Sequence, residues 1–196
     1  MIISKTNQYI LLKNKKVGSS SLEIYLSEYL NPMIDVWHGE RGYKGERNFA
    51  AINQMGKNRD PHISWSEVQS VYRPPRFKTY IIERDPFDQY RSMYEYQVAQ
   101  GHTPYSPHEF FQFTYEIYVP AGPAVKVLRY ENLTAELKDM CRIHGIPWDE
   151  QKWKQQKWKS GVSTTTTAQF YEDNPDLAEQ VRKEAWHHFE ELDYKK

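Results

Sequence analysis

The chain has 196 residues, of which 39% are hydrophobic and 15% aromatic, a composition that predicts one globular domain over residues 1–196 and excludes a disordered chain. Lysine and arginine (26) balance aspartate and glutamate (26), so no net field draws the protein to nucleic acid or to an anionic membrane surface. The single cysteine, Cys141, cannot form an internal disulfide and is expected to be a buried helix residue. Without a signal-peptide pattern or a membrane-spanning run, the sequence predicts a cytoplasmic protein.

The first predicted unit is a strand, a glycine-containing turn and a helix. Tyr9–Leu12 is a short apolar run bounded by polar residues, which predicts a buried strand. A turn follows over residues 13–19, and apolar residues then recur at helical spacing as far as Leu30. Ser20 and Glu23 have the spacing of a capping box at the start of this helix.

Two further strand–helix units are predicted along the chain. Residues 79–83 form a strand candidate, and a helix from Pro86 to about Ala99 follows, with Val98 among its inward-facing residues. A third strand over residues 125–129 precedes a helix from about Leu133 to His144. This alternation predicts a single α/β domain with a central parallel sheet flanked by helices. In such sheets, ligands bind at the carboxyl ends of the strands.

Three other segments have simpler patterns. Ser106 and Glu109 have the capping-box spacing, which predicts a helix beginning at Pro107. The segment from Asp35 to Asp60 lacks a clear period and is expected to be a long surface loop. Residues 176–192 carry apolar side chains on one helical face and predict a helix near the end of the chain.

The first turn has the composition of a phosphate-binding site. Its residues are Lys15, Lys16, Val17, Gly18, Ser19, Ser20 and Ser21. The helix start favours an anion, Gly18 permits close approach of the backbone, and Lys16 supplies a positive charge. In a Walker A loop the lysine follows the glycine, and here it precedes it, which disfavours a nucleotide kinase-like phosphotransferase. A solvated, capped turn without a ligand is the structural alternative.

The second strand–helix junction adds an arginine and a serine eight positions apart, Arg84 and Ser92. Together the two junctions resemble the family of sulfotransferases that use 3′-phosphoadenosine 5′-phosphosulfate (PAPS), most closely its carbohydrate-type members. The first motif resembles Pro-Lys-Val/Thr-Gly-Ser/Thr-Ser/Thr-Ser, with Lys15 in place of the proline. The second resembles Arg-Asp-Pro-aromatic-x-x-x-x-Ser-x-Tyr and is met in full. Residues 128–133 and the ending from 170–171 through 192–194 also look like the family.

This resemblance implies a soluble sulfotransferase with a P-loop-like phosphate-binding turn. The turn would bind the 5′-phosphosulfate of PAPS, while Arg84 and Ser92 would bind its 3′-phosphate. Lys16 resembles the family lysine beside the bridging oxygen of the donor, where it would neutralise charge on the leaving phosphate. The acceptor would be a hydroxyl of a carbohydrate or small molecule, the product 3′-phosphoadenosine 5′-phosphate, and no metal would be required.

The acceptor also needs a base, and His62 is the first candidate. It precedes the Arg84 motif at a position where several carbohydrate-type members keep a catalytic histidine, and imidazole suits removal of a hydroxyl proton. A surface or capping histidine is the structural alternative. His38 and Glu40 compete for the role, because other branches of the family use a glutamate after the first helix. Lys157–Lys159 are interpreted either as a basic lid or as a solvated charge run.

Other interpretations remain open for the same residues. Arg84 in isolation would be expected to pair with Asp85 or Glu131, and Ser92 to bond back to its own helix. The scattered histidines and single cysteine do not form a metal-binding pattern. A non-catalytic module that binds a nucleotide or a carbohydrate is the main alternative from another functional class.

Overall fold

The computed structural model describes residues 1–37, 62, 65–72, 76–118, 125–156 and 165–195. The described strands are β1 (Ile2–Ser4), β2 (Tyr9–Lys13), β3 (Val36–Trp37), β4 (Lys78–Glu83) and β5 (Val125–Arg129). The described helices are α1 (Ser19–Ser27), α2 (Trp65–Tyr72), α3 (Pro86–Ala99), α4 (Pro107–Tyr118), α5 (Leu133–Ile143), α6 (Glu150–Gln155), α7 (Thr167–Asp173), α8 (Pro175–Glu184) and α9 (Trp186–Glu190). A 3-10 turn, Tyr130–Asn132, joins β5 to α5.

The five strands form one mixed sheet in the order β3-β1-β2-β4-β5. Strands β2, β4 and β5 run parallel, whereas β1 pairs antiparallel with both β2 and β3. The predicted α/β class is confirmed, but the parallel sheet predicted from the sequence is a mixed sheet in the structure. The reason is the short connection over residues 5–8, because a parallel crossover between β1 and β2 would need a dozen or more residues.

Alternate residues of the central strands enter two cores on opposite faces of the sheet. Tyr9 and Leu11 pack with residues of α1 and α5, whereas Ile10 and Leu12 pack on the other face with Val68 of α2. A strand covered on both faces needs apolar side chains in both directions. This two-sided burial explains why β2 appears in the sequence as an unbroken apolar run.

The helices beyond the sheet agree with the sequence in outline and differ at two points. Ser106 and Glu109 form the predicted capping box, with the Glu109 N–H donating to Ser106 Oγ at 3.3 Å. Val98 was expected to face inward but is 53% exposed, because the buried face of the helix carries Tyr90, Met93 and Gln97 and Val98 lies outside it. The predicted final helix is two helices, since the chain leaves helical geometry at Ala185.

Two further segments bear on the sequence predictions. Asp35 begins a segment expected to be a loop, but Val36–Trp37 form the edge strand β3; the part from 38 to 60 lies outside the described residues. Cys141 is fully buried, as predicted, and burial raises the pKa of its thiol to about 12. Among the described helices, none is long and apolar enough to cross a membrane.

Candidate functional site at the carboxyl ends of β2 and β4

The turn after β2 has an unusual backbone conformation. Gly18 has φ 71° and is the N-cap of α1, so the helix begins without a side-chain cap. Lys16 also has a positive φ, 62°, which is uncommon for a residue with a side chain and costs on the order of 1 kcal/mol. Strain of this kind persists only where surrounding contacts hold the backbone in place.

The predicted capping box at the start of α1 is wrong. Gly18, not Ser20, is the N-cap, and Glu23 is buried one turn further along the helix. Its carboxylate accepts from Lys13 Nζ at 2.7 Å and from the Met1 amino group at 2.9 Å. Burial acts to raise the pKa of Glu23, but the two positive charges lower it overall, so Glu23 is an ionised partner of β2.

The first seven predicted site residues surround this turn but differ in exposure. The buried ones are Val17, which packs in the core beneath the turn, and Ser19. Lys15, Lys16, Ser20 and Ser21 are half-buried, and Gly18 is exposed. The exposed backbone at Gly18 is therefore flanked directly by two buried residues, with half-buried residues before and after them.

The structure brings the two sequence motifs together. Strands β2 and β4 are parallel neighbours, with Lys13 paired to Ile82, so their carboxyl ends lie side by side. Arg84 follows β4 directly, and its Nη1 donates to the carbonyl oxygen of Lys16 at 2.9 Å. The amide of Gln89, in the first turns of α3, donates to the Lys15 carbonyl at 2.8 Å. Two side chains of the second motif thus hold the backbone of the first.

Arg84 is paired, though not with either carboxylate expected from the sequence. Its Nε donates to Asp88 Oδ2 at 2.7 Å, and its Nη2 contacts the same oxygen. Asp88 stands one helical turn into α3, at the i+4 spacing that favours such a pair. Ser92 lies half-buried one further turn along the same helix.

A third strand–helix junction, the 3-10 turn after β5, lies beside the first two, because β5 is the parallel neighbour of β4. The ring of Tyr130 lies 4.2 Å below the Arg84 guanidinium, and a Cβ at Gly18 would stand 2.6 Å from Tyr130 Cε2. Glu131 accepts from the backbone N–H of Asp85 at 2.6 Å. The resemblance included this stretch of sequence, but its packing against Gly18 and Arg84 became visible only in the structure.

The two lysines of the turn lie over aromatic rings. Lys15 Nζ is 3.6 Å from the ring centre of Phe113, and Lys16 Nζ is 4.4 Å from the ring centre of Tyr96. Cation–π contacts are worth about 0.5–2 kcal/mol, depending on how far the cation is desolvated. The rings therefore orient both ammonium groups while leaving their charges in place.

His62 lies at the same end of the sheet. Its Nδ1 is 3.2 Å from the carbonyl oxygen of Lys13, the last residue of β2, and its ring meets Phe113 edge-on. A carbonyl oxygen only accepts, so Nδ1 carries the hydrogen in this contact. In the neutral imidazole Nε2 then holds the lone pair, which is the protonation state that a base requires.

Beneath the turn lies a buried polar group that the sequence analysis did not identify. The Asn14 side chain donates to Glu83 Oε1 at 3.2 Å and accepts from the Lys15 N–H at 2.8 Å. Burial raises the pKa of Glu83 to about 8, although the Asn14 hydrogen bond opposes the shift. His188 Nε2 is 3.3 Å from Glu83 Oε2, and burial lowers the pKa of His188 to about 3. Both groups are therefore neutral at neutral pH.

His38 and Glu40, the competing bases, and Lys157–Lys159, the predicted lid, lie outside the described residues. Within the described ranges, no group of three histidine, cysteine, aspartate or glutamate side chains is arranged to hold a metal ion. The site as described therefore consists of the turn, Arg84 with its partners, Ser92 and His62.

Comparisons with known proteins supply no relative for this chain. A scan against protein-family models, a search of curated proteins and a search of solved structures each find no significant match. The functional assignment therefore depends on the residues of the site and on their geometry.

Proposed function

We propose that the chain is a PAPS-dependent sulfotransferase that transfers a sulfuryl group to an acceptor hydroxyl of a carbohydrate or small molecule. The observation that carries this proposal is the hydrogen bond from Arg84 to the Lys16 carbonyl. It joins two motifs that stand 68 residues apart in sequence at one end of two parallel strands. An anion bridging the turn and the start of α3 would contact both.

The described residues fit a donor with two separate phosphate groups. Gly18, the N-cap of α1, has no side chain to cap the helix, and Lys16 stands two residues before it in the sequence. This half of the site suits the 5′-phosphosulfate. Arg84 and Ser92, on the neighbouring junction and helix, would bind the 3′-phosphate through charge-assisted hydrogen bonds. In this proposal β2, the turn and α1 form a P-loop-like phosphate-binding unit.

The chemistry of the donor is in-line transfer of a sulfuryl group, in which the acceptor oxygen bonds to sulfur as the sulfur–oxygen bond to the phosphate breaks. His62 would take the acceptor proton at Nε2, because Nδ1–H is directed to the Lys13 carbonyl. Lys16 would stabilise the negative charge that the departing phosphate oxygen gains, an electrostatic contribution of a few kcal/mol. The acceptor proton thus goes to His62, and the electron pair of the broken sulfur–oxygen bond stays on the departing phosphate oxygen.

The experiment that tests the class is thermal unfolding with three nucleotides. Adenosine 3′,5′-bisphosphate, AMP and ATP would be compared, since a ligand that binds only the folded protein raises its stability. We expect the bisphosphate to raise Tm most. A preference for ATP would indicate the kinase-like alternative, and no shift with any nucleotide would contradict the donor assignment. Sulfur-labelled PAPS with a panel of acceptors would then distinguish an enzyme from a non-catalytic module.

A further inference from the structure

Asp88 lies at the centre of a group of positive and hydroxyl-bearing side chains. Its Oδ2 accepts from Arg84, and its Oδ1 accepts from Arg91 Nη2 at 2.6 Å and from Thr167 Oγ1 at 2.8 Å. Although burial acts to raise the pKa of Asp88, the adjacent Arg84 charge and the hydrogen bonds lower it overall. The carboxylate is therefore charged, and each of its oxygens has its own set of donors.

Asp88 also stands between the two residues assigned to the 3′-phosphate. Arg84, Asp88 and Ser92 follow one another at steps of four residues. Because residues four apart lie on one face of a helix, Asp88 and Ser92 share a face of α3, roughly 6 Å apart along its axis. A phosphate held by Arg84 and Ser92 together would come close to the Asp88 carboxylate.

We propose that Asp88 is a built-in competing anion, which occupies Arg84 in the free protein and is displaced from it when the 3′-phosphate of the nucleotide binds. This inference rests on the proposed function, since it assigns Arg84 and Ser92 to that phosphate. It also predicts that the Asp88 carboxylate weakens the affinity of the site for the bisphosphate product. A weaker complex releases product faster.

The displacement is physically reasonable because the two carboxylate oxygens have different partners. Oδ2 loses Arg84 to the phosphate, while Oδ1 keeps Arg91 and Thr167. Asp88 would thus remain hydrogen-bonded and charge-paired throughout the exchange. The exchange breaks the ion pair between Arg84 and Asp88 and brings two anions close together in a partly buried site. Both effects lower the affinity for the 3′-phosphate.

The test compares binding of adenosine 3′,5′-bisphosphate and AMP by isothermal titration calorimetry, since the two differ only in the 3′-phosphate. Asp88→Asn removes the negative charge with little change of shape, and Asp88→Ala is the second variant. Glu95→Gln is the matched control, because it makes the same change of charge on α3 and contacts Arg91 and Thr165 without contacting Arg84. Thermal melts establish that each variant is folded.

We expect the Asp88→Asn dissociation constant for the bisphosphate to fall about tenfold, with a much smaller change for AMP. Glu95→Gln should alter both constants equally. If wild-type protein prefers the bisphosphate but Asp88→Asn and Asp88→Ala bind it equally or more weakly, Asp88 only orients Arg84 and the inference is wrong. If the wild type and both variants fail to distinguish the two nucleotides, the proposed function fails and this inference fails with it.

Discussion

Gly18 has two separate requirements for the absence of a side chain. Its φ of 71° is the left-handed conformation that glycine tolerates best, and a Cβ would approach Tyr130 Cε2 to 2.6 Å. The left-handed φ is shared with Gly101 and Gly145. The close approach arises because Tyr130, in the turn after β5, packs against the turn after β2. The two contributions are separable by mutation.

Gly18→Ala should lower the free energy of unfolding by about 2–4 kcal/mol, from the backbone cost and the displaced Tyr130 ring together. The matched control is Gly101→Ala, which has φ 73° but meets nothing within 4 Å. It should lose only the backbone part, about 1–2 kcal/mol. Urea denaturation measures both values. Equal losses for the two variants would contradict the close packing of Tyr130 on Gly18.

Arg84 combines a charge with a forked arrangement of donors, and Arg84→Lys separates the two. The variant keeps a positive charge but lacks the forked donors with which Arg84 can hold the Lys16 carbonyl and a phosphate at once. Affinity for adenosine 3′,5′-bisphosphate should fall by on the order of 2 kcal/mol, with little change for AMP. Arg142→Lys, at an exposed ion pair with Asp139, is the control. An unchanged preference for the 3′-phosphate in Arg84→Lys would exclude Arg84 from that role.

His62 is expected to act on the acceptor rather than on the donor. His62→Ala should therefore lower turnover about 100-fold while leaving nucleotide affinity near the wild-type value. The wild-type rate should also decline in acid, because a protonated imidazole cannot accept the proton. His108→Ala, at an exposed histidine, serves as control. If His62→Ala keeps its turnover and its acid decline, His38 and Glu40 become the next candidates for the base.

At the scale of elements, the turn after β2 is held from below as well as from the side. Asn14 is fully buried and links the turn to β4 through Glu83 and to α4 through the Thr114 carbonyl, 3.4 Å away. These contacts fix the point at which the chain leaves the sheet. The positive φ of Lys16 follows two residues later, so the strained turn is built on a rigid base.

Asn14→Ala should reduce both stability and nucleotide affinity. It leaves the Lys15 N–H without its Asn14 partner and removes a donor from buried Glu83, for a loss of about 2–3 kcal/mol in the free energy of unfolding. Asn7→Ala is the matched control, since Asn7 lies in the turn between β1 and β2, at the opposite end of β2. Asn7→Ala should affect stability alone, as judged by denaturation and by nucleotide titration. Equal effects on nucleotide binding would contradict the assigned role of Asn14.

At the scale of the whole molecule, the site rests on a neutral buried pair contributed by distant parts of the chain. Glu83 ends β4 and His188 belongs to α9, and both are fully buried. Burial raises the pKa of Glu83 to about 8 and lowers that of His188 to about 3. The His188 shift makes stability rise with pH up to about 6.5, whereas the Glu83 shift makes it fall between about 4.5 and 8, so above pH 6.5 the Glu83 effect remains.

Between pH 6.5 and 8, folded Glu83 retains a proton that the unfolded chain has lost, so stability should fall as pH rises, by on the order of 2 kcal/mol. Glu83→Gln should abolish this decline, because an amide does not titrate. The exposed Glu172→Gln is the control and should follow the wild type. Denaturation at half-unit steps of pH measures the slopes. A wild-type stability that is level across this interval would refute a neutral Glu83.

The local sequence pattern determined most of the central strands and helices of this protein. The run Tyr9–Leu12, the helical spacing after it and the capping residues before α4 are short-range signals, and strands and helices follow from them. The order of elements likewise placed the Lys16 turn and Arg84 at strand–helix junctions. Neighbouring parallel strands end at the same edge of a sheet, which is why their proximity was predictable.

Tertiary structure alone decided which partners these residues have. Asp88 rather than Asp85 or Glu131 pairs with Arg84, and Glu23 is buried against Lys13 instead of capping its helix. The antiparallel strands β1 and β3 have only three and two residues, too few to show a strand pattern in the sequence. Such choices depend on contacts between segments far apart along the chain, where burial and charge pairing outweigh local propensity. The sequence therefore predicts where the candidate site lies, and packing determines which of its charges are already occupied.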